Sequence, residues 1–420
     1  MESIQRNKLF VASCLALLVT SLSFGIRAGI LNQLGTDFQL NATQLGTITA
    51  TAFWGFPLAV VIGGMVVDLI GMKRLLVIAF IFHLLGIILT ITAQGYWSLF
   101  ISTLLIGIAN GTVEAACNPL VTAIYPDNKT TKLNHFHLWF PGGILIGTLI
   151  VLLFSSLGFD WKIQVGIMLI PTLIYGYLFS RLQFPLTERV ASGISTGTMY
   201  RSVTSPLFIF MFICMFGTAI TELFTGQWID VLLKNVTDNA ILILTLTTGV
   251  MVIGRGLAEP IVHRFSPQGV LLISAILSAL GLYLLSTLSG NSIFFAAFIF
   301  GIGVCYFWPT MLGFVAENIP QSGALGLNLM GGAGMFAVSV YMMFMGGYYD
   351  ERLIEKLPEG ANLQDYSAAA AGSDMALELT QAKSAAGPEI LQATMTIPIL
   401  LTLAFAGLVI YMNNRKKAAA

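Results

Sequence analysis

The sequence predicts an all-α membrane protein, with twelve transmembrane helices in two pseudo-symmetric six-helix bundles. Three observations predict it. Of 420 residues, 56% are hydrophobic and only 10% are charged, against about 25% charged in an ordinary soluble domain. Apolar runs of about 20 residues recur from end to end, each long enough to cross a hydrocarbon core roughly 30 Å thick. Lipid offers no hydrogen bonds, so such runs must be helices. Finally, a set of residues in the first half of the chain returns in the second half in one register.

The first six spans are expected at 9–33, 43–68, 75–93, 97–124, 133–157 and 162–181. The second six are expected at 205–233, 240–262, 269–288, 292–316, 322–348 and 393–413. The Ser/Thr/Arg-containing stretch 182–204 reads as a linker between an N-terminal bundle, 1–181, and a C-terminal bundle, 205–420. The run from Phe10 to about Leu31 is too long for a cleavable signal and reads as the first span. The segment of about 350–390, with Asp350, Glu351, Glu355, Asp365, Asp374 and Glu389 beside an Ala/Gly-rich stretch, reads as a solvated loop, flexible or short-helical.

Lys and Arg are retained on the cytoplasmic side of short loops. With the N-terminus inside, that side holds Lys73, Arg74, Lys129, Lys132, Arg181 and Arg189 among others, while the outer side holds Lys162, Lys234, Arg352, Lys356 and Lys383. Both termini are therefore expected in the cytoplasm, and the expected location is a bacterial inner (plasma) membrane. A formal net charge of zero argues against a nucleic-acid surface, which needs a concentrated Lys/Arg field. Cys14, Cys117, Cys214 and Cys305 fall inside apolar runs and form neither a disulfide framework nor a zinc spacing. No metal-ligand set, nucleophilic triad or phosphate cradle is present, so no cofactor and no catalysis are expected. The chain is expected to be monomeric.

The repeat can be read residue by residue. Gly107-Ile108, Pro126 and Leu133-Asn134 return as Gly301-Ile302, Pro320 and Leu327-Asn328, all displaced by 194 positions, and Gly142-Gly143 is echoed less strictly by Gly331-Gly332. Parallel six-helix repeats with a solute site at the midplane are a transporter plan. A channel would instead need a pore-lining ring repeated around an axis.

Between the second and third spans lies Gly64-Met65-Val66-Val67-Asp68-Leu69-Ile70-Gly71-Met72-Lys73-Arg74. Gly64 permits close helix approach, Asp68 can accept hydrogen bonds from a helix end or a basic side chain, and Gly71 permits a tight turn. This loop resembles the signature of the major facilitator superfamily, which implies that Gly64, Asp68, Gly71 and Arg74 act as a conformational latch. The segments Asn110-Gly111-Thr112-Val113-Glu114-Ala115-Ala116-Cys117-Asn118-Pro119 and Leu133-Asn134-His135-Phe136-His137-Leu138-Trp139-Phe140 resemble the fucose and proton symporter family of sugar carriers. That resemblance implies that Glu114 is the protonatable carboxylate and that Asn134 and His137 lie near sugar-binding amides. The family's first span carries an acidic residue, whereas the matching stretch here is Gly25-Ile26-Arg27-Ala28-Gly29.

Ionisable residues inside spans cost about 2.5 kcal/mol or more and usually face a cavity or a partner. Arg27, Glu114, Glu222 and Arg255 qualify. Arg27 could fork onto sugar hydroxyls, a carboxylate substrate or Glu114. Glu222, Gln227 and Trp228 in the seventh span, and Trp308 in the tenth, are residue types that bind hydroxyls or stack on pyranose rings, although Trp228 also suits an interfacial aromatic belt. Pro119 and Pro309 leave carbonyls one turn earlier without helical partners. Asn118, Asn134 and Asn328 suit hydroxyls or interhelical hydrogen bonds. His135 and His137 point about 200° apart on one helix, so one of them, His137, is assigned to the site; His83 reads as a buried, satisfied histidine.

The expected function is secondary transport of a small neutral solute, a monosaccharide first of all, by alternating access and with protons through Glu114. The alternatives are an organic-anion carrier using Arg27, a sugar uniporter, or a receptor or scaffold without flux. The partners expected are the small-molecule substrate, protons and the lipid bilayer.

Overall fold

The apolar runs fold as helices. The structure, a computed structural model, describes residues 5–40, 42–233, 240–370 and 372–419. Lys234, counted above on the outer side, lies outside the described residues. The N-terminal part holds α1 (Arg6–Asp37), α2 (Ala42–Ile70), α3 (Met72–Ile91), α4 (Tyr96–Ile124), α5 (Lys129–His137), α6 (Trp139–Ser156), α7 (Trp161–Gly166), α8 (Leu169–Arg181), α9 (Glu188–Ala191) and α10 (Thr196–Val203). The rest holds α11 (Pro206–Ala219), a π-helical turn (Ile220–Phe224), α12 (Thr225–Leu233), α13 (Ala240–Gly256), α14 (Ala258–Thr287), α15 (Ser292–Val304), α16 (Phe307–Asn318), α17 (Gly323–Lys356), α18 (Leu363–Ser367) and α19 (Asp374–Ala419).

Among the described residues, eleven helical stretches are long and apolar enough to cross a membrane, and Leu242–Gly256 is a shorter apolar helix. Several spans are not single regular helices. The stretch Lys129–Ser156 is divided into α5 and α6 at Leu138, whose backbone stays helical, and Ser292–Asn318 is divided into α15 and α16 at Cys305–Tyr306. Within α14 the backbone turns at Ser266, whose φ is 59°, which separates the expected eighth and ninth spans from each other.

The segment expected as a solvated loop at about 350–390 is more ordered than the sequence suggested. Helix α17 continues to Lys356, α19 begins at Asp374, and only the short α18 fits the short-helical alternative. Ala-rich composition favours helix, and Lys356 Nζ donates to Glu389 Oε1 at 2.6 Å, tying the two long extensions together.

The chain divides into two compact units. Unit 1 comprises 1–212, 255–262 and 309–335; unit 2 comprises 213–254, 263–308 and 336–420. Small residues set the helix spacing inside each, as is common where lipid supplies no hydrophobic drive between helices. In unit 1, a Cβ on Gly107 of α4 would meet the backbone of Ala52 in α2, and one on Gly111 would meet the carbonyl of Phe56 one turn further on. In unit 2, the repeat equivalent Gly301 lies against Thr247 and Val250 of α13. Gly107 and Gly301 thus do the same packing work against α2 and α13, so the 194-residue register is a register of contacts as well as of letters.

Gly111→Ala forces α2 and α4 apart, and overpacking of this kind costs about 1–3 kcal/mol. Thermal unfolding of the detergent-solubilised protein should show a clear loss for Gly111→Ala and none for Gly46→Ala, where a Cβ meets nothing within 4 Å.

Candidate functional site

Unit 1 contains a buried polar network built on α4, α5 and the end of α13. Asn118 Nδ2 donates to Glu114 Oε2 at 2.6 Å, one helical turn away on α4. That fixes the Asn118 carboxamide, so its Oδ1 accepts from His137 Nε2 at 2.9 Å. With the proton on Nε2, His137 turns its other ring nitrogen, Nδ1, towards Glu114 Oε1 at 3.8 Å. Glu114, Asn118 and His137 are nearly inaccessible to solvent, and the Arg255 charge acts on both Glu114 and His137. The sequence named Glu114, Asn118, His137 and Arg255 separately as candidates; the structure joins the first three through Asn118 and sets Arg255 beside them.

Two prolines explain how residues 255 and 328 join this unit. Pro141 has no N–H to offer the carbonyl of His137, four residues earlier, and Arg255 Nη1 donates to that carbonyl at 2.9 Å instead. Pro119 likewise leaves the Ala115 carbonyl open, and Asn328 Nδ2 fills it at 3.0 Å. Asn134 is the repeat partner of Asn328, and its Nδ2 donates to Thr130 O at 2.9 Å and to Thr310 Oγ1 at 3.3 Å. Both asparagines keep a buried Oδ1 without a hydrogen-bond partner.

Arg27 is not the partner of Glu114. It lies over the Phe24 ring, 5.3 Å from its centroid, and its buried Nη2 has no hydrogen-bond partner. His83 is satisfied on both sides: Nε2 donates to Asn110 Oδ1 and Nδ1 accepts from the Tyr175 hydroxyl, each at 2.8 Å.

The remaining candidates belong to unit 2. Glu222 is buried in the π-helical turn Ile220–Phe224, a local widening that is frequent at functional positions. Its Oε2 accepts from the Trp308 backbone N–H at 3.3 Å, which puts the carboxylate at the N-terminus of α16, where the helix dipole favours negative charge. Trp308 is itself buried, Gln227 is exposed, and Trp228 packs edge-on against Tyr349 with centroids 6.2 Å apart.

At the loop motif, Gly71 has φ 88° and starts α3, a conformation that suits glycine. A Cβ on Gly64 would collide with the Asn328 side chain. Asp68 accepts from Thr187 Oγ1 and Arg189 Nε of the linker, while Arg74 is exposed. Arg189 Nη1 also donates to Ile194 O at 2.7 Å. Next to this pair, Lys129 bridges Glu188 and the Ala316 carbonyl, and Glu317 accepts from Thr130 N at 3.0 Å and Thr130 Oγ1 at 2.6 Å, capping the start of α5. Sequence reasoning missed Arg189, Glu188, Lys129 and Glu317. The sequence marks Lys129 and Arg189 only as charges of the cytoplasmic side, and nothing in the residues pairs them with Glu188, Glu317 or Asp68. Among the described residues no three His, Cys, Asp or Glu side chains converge as metal ligands.

Membrane-length helices around buried ionisable side chains define a polytopic integral membrane protein. The sequence model of the Major Facilitator Superfamily matches residues 13–348, and the chain belongs to that family. It is 27% identical over 161 residues to a facilitated glucose transporter, solute carrier family 2 member 10, of Xenopus laevis, a match covering 38% of this chain and 29% of that relative. It is 23% identical over 323 residues to a probable sugar efflux transporter of Haemophilus influenzae, covering 72% of this chain and 77% of the relative. The chain spans only 29–33% of the length of the first curated relatives it matches. The E. coli fucose:proton symporter shares the fold, with a TM-score of 0.69 at 15% identity over 93% of this chain and 98% of that one.

Two sets of variants test these contacts. Asn328→Ala leaves the Ala115 carbonyl buried and unpaired, at a cost of about 1–3 kcal/mol; adding Pro119→Ala restores a helical N–H for that carbonyl and should recover part of the lost thermal stability. Asp68→Ala strands the Arg189 guanidinium, and breaking a buried pair costs about 3–5 kcal/mol. The Asp68→Ala, Arg189→Ala double variant should therefore unfold at a higher temperature than Asp68→Ala alone.

Proposed function

We propose that the chain is a secondary active transporter that carries a small polyhydroxylated solute, a monosaccharide, by alternating access, with protons coupled through Glu114. The observation that carries this reading is the buried Glu114–Asn118–His137 chain on membrane-spanning helices. Ionisable side chains buried in a span and linked by hydrogen bonds are the usual parts of proton relays. Asn118 holds His137 with its unprotonated nitrogen facing the same carboxylate, so the two side chains can share one proton. Coupling follows if solute occupancy alters the polarity around that pair.

The sugar part of the reading is supported by relatives described as transporters of glucose, of myo-inositol and of sugars for efflux. On this reading the chain has twelve spans in two six-helix halves, 1–181 and 205–420, joined by the linker 182–204, with both termini cytoplasmic in a bacterial inner membrane. The 194-residue register supports the duplication, and the excess of Lys and Arg on one side supports the orientation. Asn118, Asn134, His137, Glu222, Gln227, Trp228, Trp308 and Asn328 are the proposed solute contacts. Gly64, Asp68, Gly71 and Arg74 form the proposed latch, to which the Asp68–Arg189 pair adds the linker.

Proteoliposome uptake of a labelled sugar panel, with and without an imposed pH gradient, tests the coupling. The native protein should accumulate solute against its gradient. Glu114→Gln should only equilibrate it, while retaining exchange of labelled for unlabelled solute. Equal response to the pH gradient in both forms removes Glu114 from the coupling step.

A further inference from the structure

Arg27 is the charged side chain that the transport cycle above leaves without a task. Three ordinary explanations for a cation in a span fail. A structural ion pair needs a carboxylate within reach, and among the described residues Arg27 has neither an ion pair nor a hydrogen bond; its recorded contact is the Phe24 ring. A snorkelling arginine carries its head group out to water or phosphates, whereas the Nη2 of Arg27 is buried. A helix-capping cation would bind a terminal carbonyl, and Arg27 lies ten residues before the end of α1 at Asp37.

The surroundings describe what is missing. Along α1, Leu9 to Ser23 is closed on almost every face, but from Phe24 onward Phe24, Arg27, Ala28 and Leu31 are accessible while Ile26, Ile30 and Leu34 stay buried. Arg27 therefore stands on the face of α1 that opens. Beside it Phe24 packs on Phe53 of α2 and Phe140 of α6, with centroids 5.5 and 6.0 Å apart. A guanidinium is a planar fork that matches a carboxylate with two parallel hydrogen bonds, and aromatic rings suit the C–H face of a pyranose. An unneutralised cation in the apolar part of a span is costly, and a ligand oxyanion offsets that cost only while it is bound.

Building on the proposed transport function, we infer that the solute is an acidic monosaccharide, a hexuronate or hexonate, whose carboxylate binds Arg27 beside the Phe24, Phe53 and Phe140 rings. A lipid phosphate offers similar chemistry, and the experiment separates the two sources.

The full-length protein is reconstituted in phosphatidylcholine and assayed for uptake of labelled glucuronate and gluconate against glucose and fucose, for native, Arg27→Gln and Arg27→Lys forms. The acids should be preferred by the native protein. Loss of one partner of a buried charge pair should lower the acid-to-hexose preference about 100-fold in Arg27→Gln, through KM, with partial retention in Arg27→Lys. Arg27→Gln removes an unpaired cation and should unfold no earlier than the native protein, so a folding defect is recognisable. In detergent, glucuronate should raise the unfolding temperature of the native form and not of Arg27→Gln. Hexoses carried as well as the acids, with a preference unaltered in Arg27→Gln, overturn the inference and leave the transport function standing. Stabilisation through Arg27 by phosphatidylglycerol, with none by the acids, overturns it in favour of a lipid site. Failure to move any solute of either class overturns both.

Discussion

A backbone carbonyl inside a bilayer has no water to turn to, and that constraint organises the first unit of this protein. Proline within a span breaks one helical hydrogen bond and so creates a demand that a neighbouring helix must meet. Pro119 and Pro141 create two such demands, at Ala115 and His137, and the donors come from Asn328 and Arg255. The residues sit far apart in sequence yet belong to one compact unit. The Glu114–Asn118–His137 chain lies between these two repairs, on the same α4 and α5 segments. The placement of the proposed proton site and the placement of residues 255 and 328 thus have a common cause.

Much of this was legible in the residues. Hydropathy runs marked the spans because lipid admits only long apolar helices, and the 194-position register marked Gly107 and Gly301, which pack alike against α2 and α13. Glu114 stood out since a carboxylate in such a run is costly. What the sequence did not show were partners across distance. Arg189 meets Asp68 over a separation of 121 positions, and no periodicity encodes such a pairing; Arg74, nearer in sequence, is exposed instead. The helix extensions towards Lys356 and from Asp374 were also hidden, because acidic, Ala-rich composition suits both a solvated loop and a helix held by an ion pair.

The second unit handles its carboxylate differently. Glu222 sits in a π-helical turn and meets the first turn of α16, just after the tenth span is interrupted at Cys305–Tyr306. The extra residue of a π turn rotates the side chains that follow it, and the Trp228 ring, one turn beyond, meets Tyr349 edge-on. The division between the compact units falls between Trp308 and Pro309, within α16 and next to this contact.

The glycine at position 64 of α2 carries a last consequence. A Cβ there would collide with Asn328, whose amide serves the carbonyl opened by Pro119. Positions 64, 119 and 328 are therefore coupled through one side chain. A descendant that enlarges residue 64 must shrink residue 328, which strands the Ala115 carbonyl unless the proline is lost as well. Genetic suppressors of a defect at Gly64 should accordingly arise at the other two positions, although neither lies near it in the gene.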